Sequence, residues 1–420
     1  MTTGRGRAGG RPRVVLMAPV PPHDRVTHAG GVHLRAVYAE LERRADVTVV
    51  VPDTPATRKA LERPGLPERL VVVGRRSERG ALLRPLFRAL AVVDGARVRR
   101  DPSRPSLVAA AAVLTSGPAR RALADADVVD LEWSETARLA RVVRWLAPRA
   151  RLVATLHDVR SQAFARRADL AAGRERTRLR RAERREARAE RRLLRRVDRV
   201  VTLSAKDVRV LTGADTHPRV RVLHPPLAGR SPVARHPATP SVVLFVGDLS
   251  RAENESGLTW FLDEVWPGLV AAAPVRLRVV GAGATEALRD RVSRAPQADL
   301  AGWVESLDEE YATAALSVVP LRAGAGVKFK TIEALVAGVP VVTTSIGAEG
   351  IGGPEVFAGL HDEAPEFRAA CLAVLREPDD AERAAATTRG LVRERYSREG
   401  FTAAVAETYL SVTGTGRTPP

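Results

Sequence analysis

Short apolar runs that end in a glycine or proline loop and hand over to helical spacing recur through this 420-residue chain. That repeat constrains the fold more than any other feature. Residues 13–19 (RVVLMAP) are the first such run, too continuous for a strand with one wet face. Runs of this kind fit parallel strands covered on both sides. Gly30-Gly31 follows, then apolar residues at Val32, Leu34, Val37, Tyr38 and Leu41, a helical spacing, and then residues 46–51 as the next strand. Strand, glycine loop, helix, strand is a βαβ unit, which implies an α/β domain with a parallel sheet.

The series continues through strands expected at 70–73, 128–131, 152–156, 199–203 and 220–223, with a mixed helical region up to about residue 124. Residues 223–240 then hold five prolines, Pro225, Pro226, Pro232, Pro237 and Pro240, which argue against helix or central strand. We read 225–240 as an interdomain linker. Beyond it the alternation restarts: strands at 242–247, 275–281, 316–320 and 340–344, helices at 257–266, 308–315 and 330–337. Two α/β domains joined by a proline-rich hinge are expected, spanning 13–224 and 241–395. A tail from 413 onward, rich in Gly, Thr and Pro, reads as disordered.

Composition narrows the class. With 45% hydrophobic residues the chain can bury sizeable cores, built mainly from Ala, Val and Leu because only 4% of residues are aromatic. No apolar run approaches the roughly 20 residues of a membrane-spanning helix, and residues 1–13 lack the apolar stretch of a secretory signal. The single cysteine, Cys371, excludes an intramolecular disulfide and any cysteine-based metal cluster. A cytoplasmic protein is expected. Its formal net charge of +18 suits anionic partners, or reflects an arginine-rich surface without a partner.

Ligands of open parallel sheets bind beyond the carboxyl ends of strands, where loops feed helix N-termini. Gly30-Gly31 occupies such a place, as an anion loop or an ordinary tight turn. His157 and Asp158 directly follow the strand LVATL, and Glu132, Trp133 and Ser134 follow VVDL. Glu132, Ser134 and Asp158 are candidate acceptor contacts, or members of a half-buried polar cluster. The stretch VVGAGA at 279–284 lacks the G-x-G-x-x-G spacing of a dinucleotide site and reads as a strand-to-helix turn.

The densest constellation is 320–351, PLRAGAGVKFKTIEALVAGVPVVTTSIGAEGI. A basic, glycine-rich loop with Arg322, Gly324, Gly326, Lys328 and Lys330 opens a helix that carries Glu333. Free amides at a helix N-terminus with cations beside them favour a diphosphate. Glu333, one turn in, is placed to accept hydrogen bonds from two ribose hydroxyls.

These residues resemble the donor-binding half of glycosyltransferase family four, retaining nucleotide-sugar enzymes of GT-B fold. The run GAGVKFKTIEALVAGVPVVTTSIGAEGI carries the resemblance, supported by VVLFVGDLSRAENESGLTWFLDEVWP, LRVVGAG, LAGWVESLDEEYATAALSVVPLR and, earlier, VDLEWSE and TLHDV. The resemblance implies two Rossmann-like domains with parallel sheets facing across a cleft, and a C-terminal helix at 396–412 returning toward the N-terminal domain. It implies that Glu333 binds the ribose and that Gly324, Ala325, Gly326, Val327 and Lys328 meet the diphosphate and sugar. Backbone at Gly302, Trp303 and Val304 would read the base, His157 would contact the donor sugar, and Gly30-Gly31 would close on the phosphates. Gly247 ends the first strand of the donor domain.

Three positions depart from the family pattern. Asp248 stands where an Arg is common, Asn254 where a Lys is typical, and Ala325 where the first Glu of an E-x7-E pair falls. The expectation is that Arg322, Lys328 and Lys330, with Arg251, supply the missing positive charge. Neither a cofactor nor a metal is expected, since helix dipole and cations can stabilise the leaving diphosphate. The substrate is then a nucleotide-diphosphate sugar, and its acceptor is left open.

Residues 174–199 hold 13 Arg against five acidic residues, reading as one long solvated basic helix. It could rest on the anionic inner face of a membrane or be plain arginine-rich surface. Two alternatives to a transferase stay open: a sugar-nucleotide epimerase of the same fold, and a basic nucleic-acid-binding protein. The second lacks aromatic residues on the basic helix and any RNA-binding signature, so no nucleic acid is expected.

Overall fold

The computed structural model describes residues 10–26, 28–74, 83–227 and 233–411; the expected disordered tail lies outside them. The chain divides into two compact units, Met1–Pro225 with Phe401–Pro420, and Pro226–Gly400.

The first unit is built on a seven-stranded sheet. Its strands are β1 (Arg13–Met17), β2 (Asp46–Pro52), β3 (Leu70–Val73), β4 (Val128–Glu132), β5 (Arg151–Leu156), β6 (Arg199–Thr202) and β7 (Val220–Val222). They lie in the order β3-β2-β1-β4-β5-β6-β7, and every pairing is parallel. Val14 and Leu16 face one layer of the core and Val15 and Met17 the other, which is why this run has no polar alternation. Chain order reverses between β1 and β4, so the loops after these two strands diverge and open a crevice. The segment after Gly400 belongs to this unit: Phe401, Val405 and Tyr409 pack with Val14, Leu16 and Leu34.

The mixed region before β4 resolves into three helices, Leu83–Arg100, Leu107–Thr115 and Gly117–Asp125, because Ser106 and Ser116 cap the latter two. The basic segment is one helix, Gly173–Arg196, but it is not solvated throughout. Glu186 is buried and takes a bidentate contact from Arg138 at 2.7 and 3.0 Å, while Glu190 accepts from Ser161 N and Oγ. The acidic residues on its inner side dock the helix, and arginines fill the outer side.

The second unit holds β8 (Ser241–Val246), β9 (Val275–Val280), β10 (Ala298–Gly302), β11 (Ala314–Val319), β12 (Val341–Thr343) and β13 (Gly359–Leu360). Their order is β10-β9-β8-β11-β12-β13, again all parallel, with the reversal between β8 and β11. β10 and β13 were not anticipated; ADLAG and GL are too small and too short to stand out from loop. The helix expected at 257–266 runs from Ala252 to Ala272, widened by a π-turn at Phe261–Val265 just ahead of Pro267. Among the described residues no helix is long and apolar enough to cross a membrane.

Candidate active site

Each unit carries polar residues at its own point of strand reversal. In the first, Glu132 ends β4 and is fully buried, as is the imidazole of His157 but for 7% of its side chain. His157 Nε2 lies 2.7 Å from Glu132 Oε2. Trp133 follows with φ +66°, a left-handed conformation that bulky residues rarely adopt. That turn lays its indole on His157, ring centroids 4.0 Å apart and planes 21° from parallel. The imidazole of His33 meets His157 edge-on at 5.4 Å.

The glycine loop completes the cluster. His28 caps the helix Ala29–Glu42 by accepting from Gly31 N through Nδ1 at 3.0 Å. A Cβ on Gly30 would stand 2.7 Å from Trp133 Cζ2 and 3.2 Å from His157 Nδ1, so glycine is the residue that fits against this pair. A Cβ on Gly31 would meet Val26 at 2.1 Å.

Burial sets the protonation. It pushes the Glu132 carboxyl up to about 8 and the His157 imidazole down to about 4. At neutral pH the pair therefore holds one proton between its facing atoms, on Glu132, which donates to Nε2 of a neutral ring. The ring hydrogen then sits on Nδ1. Nδ1 is buried and, among the described residues, no protein group accepts from it. An unmet buried donor costs about 1–3 kcal/mol unless a ligand meets it.

Behind the pair, Asp130 is fully buried in mid-strand. Tyr409 Oη donates to it at 2.6 Å and Thr155 Oγ1 at 2.9 Å. Burial and the neighbouring Glu132 hold its carboxyl well above the usual range. Glu132 is thus the partner of His157 rather than an acceptor contact, and Ser134 turns to a separate cavity of about 60 Å³ beside Arg138 and Glu186. Asp158 is half-buried, with burial raising its pKa and Arg160 opposing the shift.

In the second unit the loop after β8 lies against the loop after β9: a Cβ on Gly281 would meet the Gly247 carbonyl at 1.7 Å. Asp248 Oδ1 accepts from Ser250 N and Oγ, closing a tight turn. Asn254 donates to the Asp248 carbonyl at 2.7 Å and accepts from Lys330 Nζ at 2.6 Å. Lys330 reaches back over the Phe245 ring at 5.0 Å, with its ammonium 3.0 Å from where a Gly247 Cβ would be. Burial, with Lys328 and Arg251 nearby, lowers its pKa to about 7.

The other expected cations each have a partner of their own. Lys328 Nζ binds the Gly326 carbonyl at 2.5 Å and lies 3.6 Å from Glu349 Oε2, both side chains nearly buried. Arg251 pairs with Glu253. Arg322 donates to the Asp362 carbonyl at 2.8 Å and lies over the Trp260 ring at 4.9 Å. Lys328 and Arg251 lie close enough to Lys330 to act on its charge, while Arg322 is turned to Asp362 and Trp260.

Gly324 (φ +116°) and Gly326 (φ +73°) give the loop its left-handed turns before the helix Phe329–Ala337. Ala325 and Val327 lie between and after them, Val327 buried. Glu333 is half-buried on that helix, not sealed in the core. At the end of β10, Gly302 has φ +72°, Trp303 is 66% exposed and Val304 is half-buried.

Residues 240–377 match the family model described as glycosyl transferases group 1. The chain is 28% identical over 260 residues to the lipopolysaccharide core biosynthesis mannosyltransferase LpsB of Rhizobium meliloti (strain 1021), covering 55% of this chain and 70% of that one. It is 35% identical over 118 residues to an uncharacterized 44.6 kDa protein in the cps region of Klebsiella pneumoniae, a match spanning 26% of this chain and only 30% of that relative. Among solved structures it is similar to Anabaena Alr3699/HepE in complex with UDP, with TM-score 0.64 at 16% identity over 95% of this chain and all of that one. Sucrose-phosphate synthase from Thermosynechococcus elongatus gives TM-score 0.63 at 16% identity, over 95% and 98% of the two chains. Fold and matched domain together define a glycosyltransferase of the GT-B type.

Proposed function

We propose that the chain transfers a glycosyl group, with retention and in the manner of glycosyltransferase family four, from a nucleoside diphosphate sugar to an acceptor hydroxyl. The observation that carries this reading is the ammonium of Lys330, held against Gly247 by Asn254 at the strand reversal of the second unit. A buried cation beside the amides of a glycine loop and a helix N-terminus is complementary to a diphosphate and strengthens as charge develops on it. Asn254, which departs from the family pattern, keeps the charge in place by anchoring a lysine that arrives from the other loop.

Glu333 accepts from the ribose hydroxyls, and the exposed indole of Trp303 with the backbone of Gly302 and Val304 receives the base. His157 donates from Nδ1 to an oxygen of the donor sugar. The bond between the anomeric carbon and the β-phosphate oxygen breaks, and the acceptor oxygen bonds to that carbon. The acceptor proton passes to the departing phosphate oxygen. No metal is required, because Lys330 and the loop amides meet the developing charge. The reaction is assigned to the cytoplasmic side of the membrane.

A thermal-shift panel of UDP-, GDP-, ADP- and dTDP-sugars tests the reading, since a ligand that binds the folded state raises its melting temperature. Uridine nucleotides come first, as HepE was solved with UDP. Stabilisation by one base series, abolished in Lys330→Met, is expected; no stabilisation by any would overturn the donor assignment. Incubation of the stabilising donor alone, with no epimer formed, separates transfer from epimerisation.

A further inference from the structure

The first unit carries a second feature that donor binding and transfer leave unused. A groove of about 950 Å³ lies between the end of helix Leu83–Arg100 and the helices Arg160–Leu170 and Gly173–Arg196. Arg99, Arg100 and Arg167 line it from one side, and Arg174, Arg178, Arg181 and Arg185 from the other. Its floor is apolar, with Val98, Phe164 and Leu179. Among the described lining residues the one acidic side chain is Glu175, 3.5 Å from Arg178. Seven guanidinium groups thus face one carboxylate in the lining; Arg180–Asp169 ties the two helices together beside the groove, Arg185 donates to the Arg100 carbonyl, and Arg138–Glu186 docks the long helix further along.

The helix that ends in the groove is itself poorly covered. Of its 18 residues only Phe87 and Asp94 are buried. Leu86, Val92 and Val93 are 48%, 76% and 47% exposed. At about 100° per residue these three, with Ala89 and Ala96, fall within one third of the helix circumference. A globular core would turn that stripe inward. Here it faces out, and it leads into an arginine-lined, apolar-floored groove.

We propose that this stripe and groove form a docking face for an anionic phospholipid bilayer, with the valines and Leu86 entering the headgroup–acyl boundary and the arginines meeting lipid phosphates. Guanidinium forks suit phosphate oxygens. An apolar face flanked by arginines is the arrangement of helices that lie in a membrane interface. Charge alone would attract any polyanion; the exposed apolar stripe selects an amphiphilic surface.

Sedimentation of the full chain with vesicles tests this. Binding is expected to phosphatidylcholine vesicles containing 30% phosphatidylglycerol and not to phosphatidylcholine alone. With each basic residue at such a surface contributing about fivefold, the double reversal Arg174→Glu/Arg178→Glu should weaken binding at least tenfold. Val92→Ser/Val93→Ser, at exposed positions, should weaken it severalfold. The double reversal Arg120→Glu/Arg121→Glu, equal in charge and exposed on another helix of the same unit, should retain most of it. Equal losses in the two reversals would reduce the effect to net charge and overturn the proposal. So would saturable binding of inorganic pyrophosphate at the groove without vesicle binding. Nucleotide-sugar stabilisation should be unchanged in every variant, so this test and that of donor binding fail separately.

Discussion

Glu132 Oε2 and His157 Nε2 lie 2.7 Å apart, each on the last or next residue of a neighbouring parallel strand, with Glu132 fully buried and His157 nearly so. Burial alone leaves them one shared proton at neutral pH. With Glu132 pushed up to about 8, raising the pH through 8 ionises it, draws the ring proton to Nε2, and turns Nδ1 from donor to acceptor. Turnover is expected to fall above about pH 8. Glu132→Gln keeps a donor toward Nε2 without the ionisation. It should retain activity at pH 7 and lose the alkaline fall, whereas Glu132→Leu should lose most activity at every pH. An unchanged pH–rate profile in Glu132→Gln would detach the pair from the reaction.

Stability follows the same pair with a worked sign. Folded Glu132 keeps its proton to about 8 while an unfolded glutamate loses it near 4.3, so this group's contribution falls as pH rises through that window. Folded His157 stays neutral down to about 4 while an unfolded histidine is protonated below about 6.5, so its contribution rises from 4 to 6.5. The two cancel where the windows overlap. A net loss remains between about 6.5 and 8, at most about 1.4 kcal/mol per pH unit. Because Lys330 contributes the opposite slope above pH 7, the loss should appear in urea denaturation as the wild type falling relative to Glu132→Gln across this window.

If Lys330 grips the donor diphosphate as proposed, donor binding is a proton-uptake reaction. Its pKa of about 7 in the free protein must rise when a diphosphate arrives beside it. Affinity is expected to weaken from pH 7 to 9 as the free amine becomes neutral. Calorimetry in two buffers of different ionisation enthalpy should report uptake of part of a proton near pH 8, abolished in Lys330→Met. Stability alone runs the other way: an unfolded lysine titrates near 10.4, so burying this one costs less as pH rises from 7 to 10.

Much of this was legible in the sequence. The two βα series and the break at 223–240 follow from apolar runs and prolines, and each glycine loop sits where a strand reversal opens the sheet. What was not legible is which side chains meet across loops. Asn254 reads as a lost cation because its partner Lys330 is 76 residues away and reaches it only when β8 and β11 lie side by side. Glu349, the partner of Lys328, hides in a turn for the same reason. Glu132 reads as a strand-end residue open to a ligand, but it is fully buried against His157, whose ring the left-handed turn at Trp133 covers with an indole. The arginine helix has the right length, but its docking acids, Glu186 and Glu190, are indistinguishable by pattern from its solvated ones.

Asp130 and Tyr409 should matter for stability rather than chemistry. Their 2.6 Å hydrogen bond ties the last helical segment to the middle of β4. Tyr409→Phe removes one donor from the buried Asp130 carboxyl, a loss of about 1–3 kcal/mol. For a chain of this size that lowers the melting temperature by a few degrees. Pairing Tyr409→Phe with Asp130→Leu should recover part of the loss, since replacing both polar partners removes the unmet group. Additive losses in the double variant would mean the contact is not coupled.

Gly30 tests whether the loop and the buried pair act as one unit. A methyl group there would lie 2.7 Å from the Trp133 ring, closer than real Cβ contacts, and 3.2 Å from His157 Nδ1. The ring cannot yield freely, because its backbone is already held at φ +66° and its other face is stacked on His157. Gly30→Ala should therefore displace the imidazole and lower kcat at least tenfold. The fold should survive, since Gly30 lies in the first turn of helix Ala29–Glu42, beyond the carboxyl end of β1, and the thermal shift with a nucleotide sugar should be kept, since the residues proposed to grip the diphosphate belong to the other unit. Full activity in Gly30→Ala would show that the orientation of His157 is not what limits transfer.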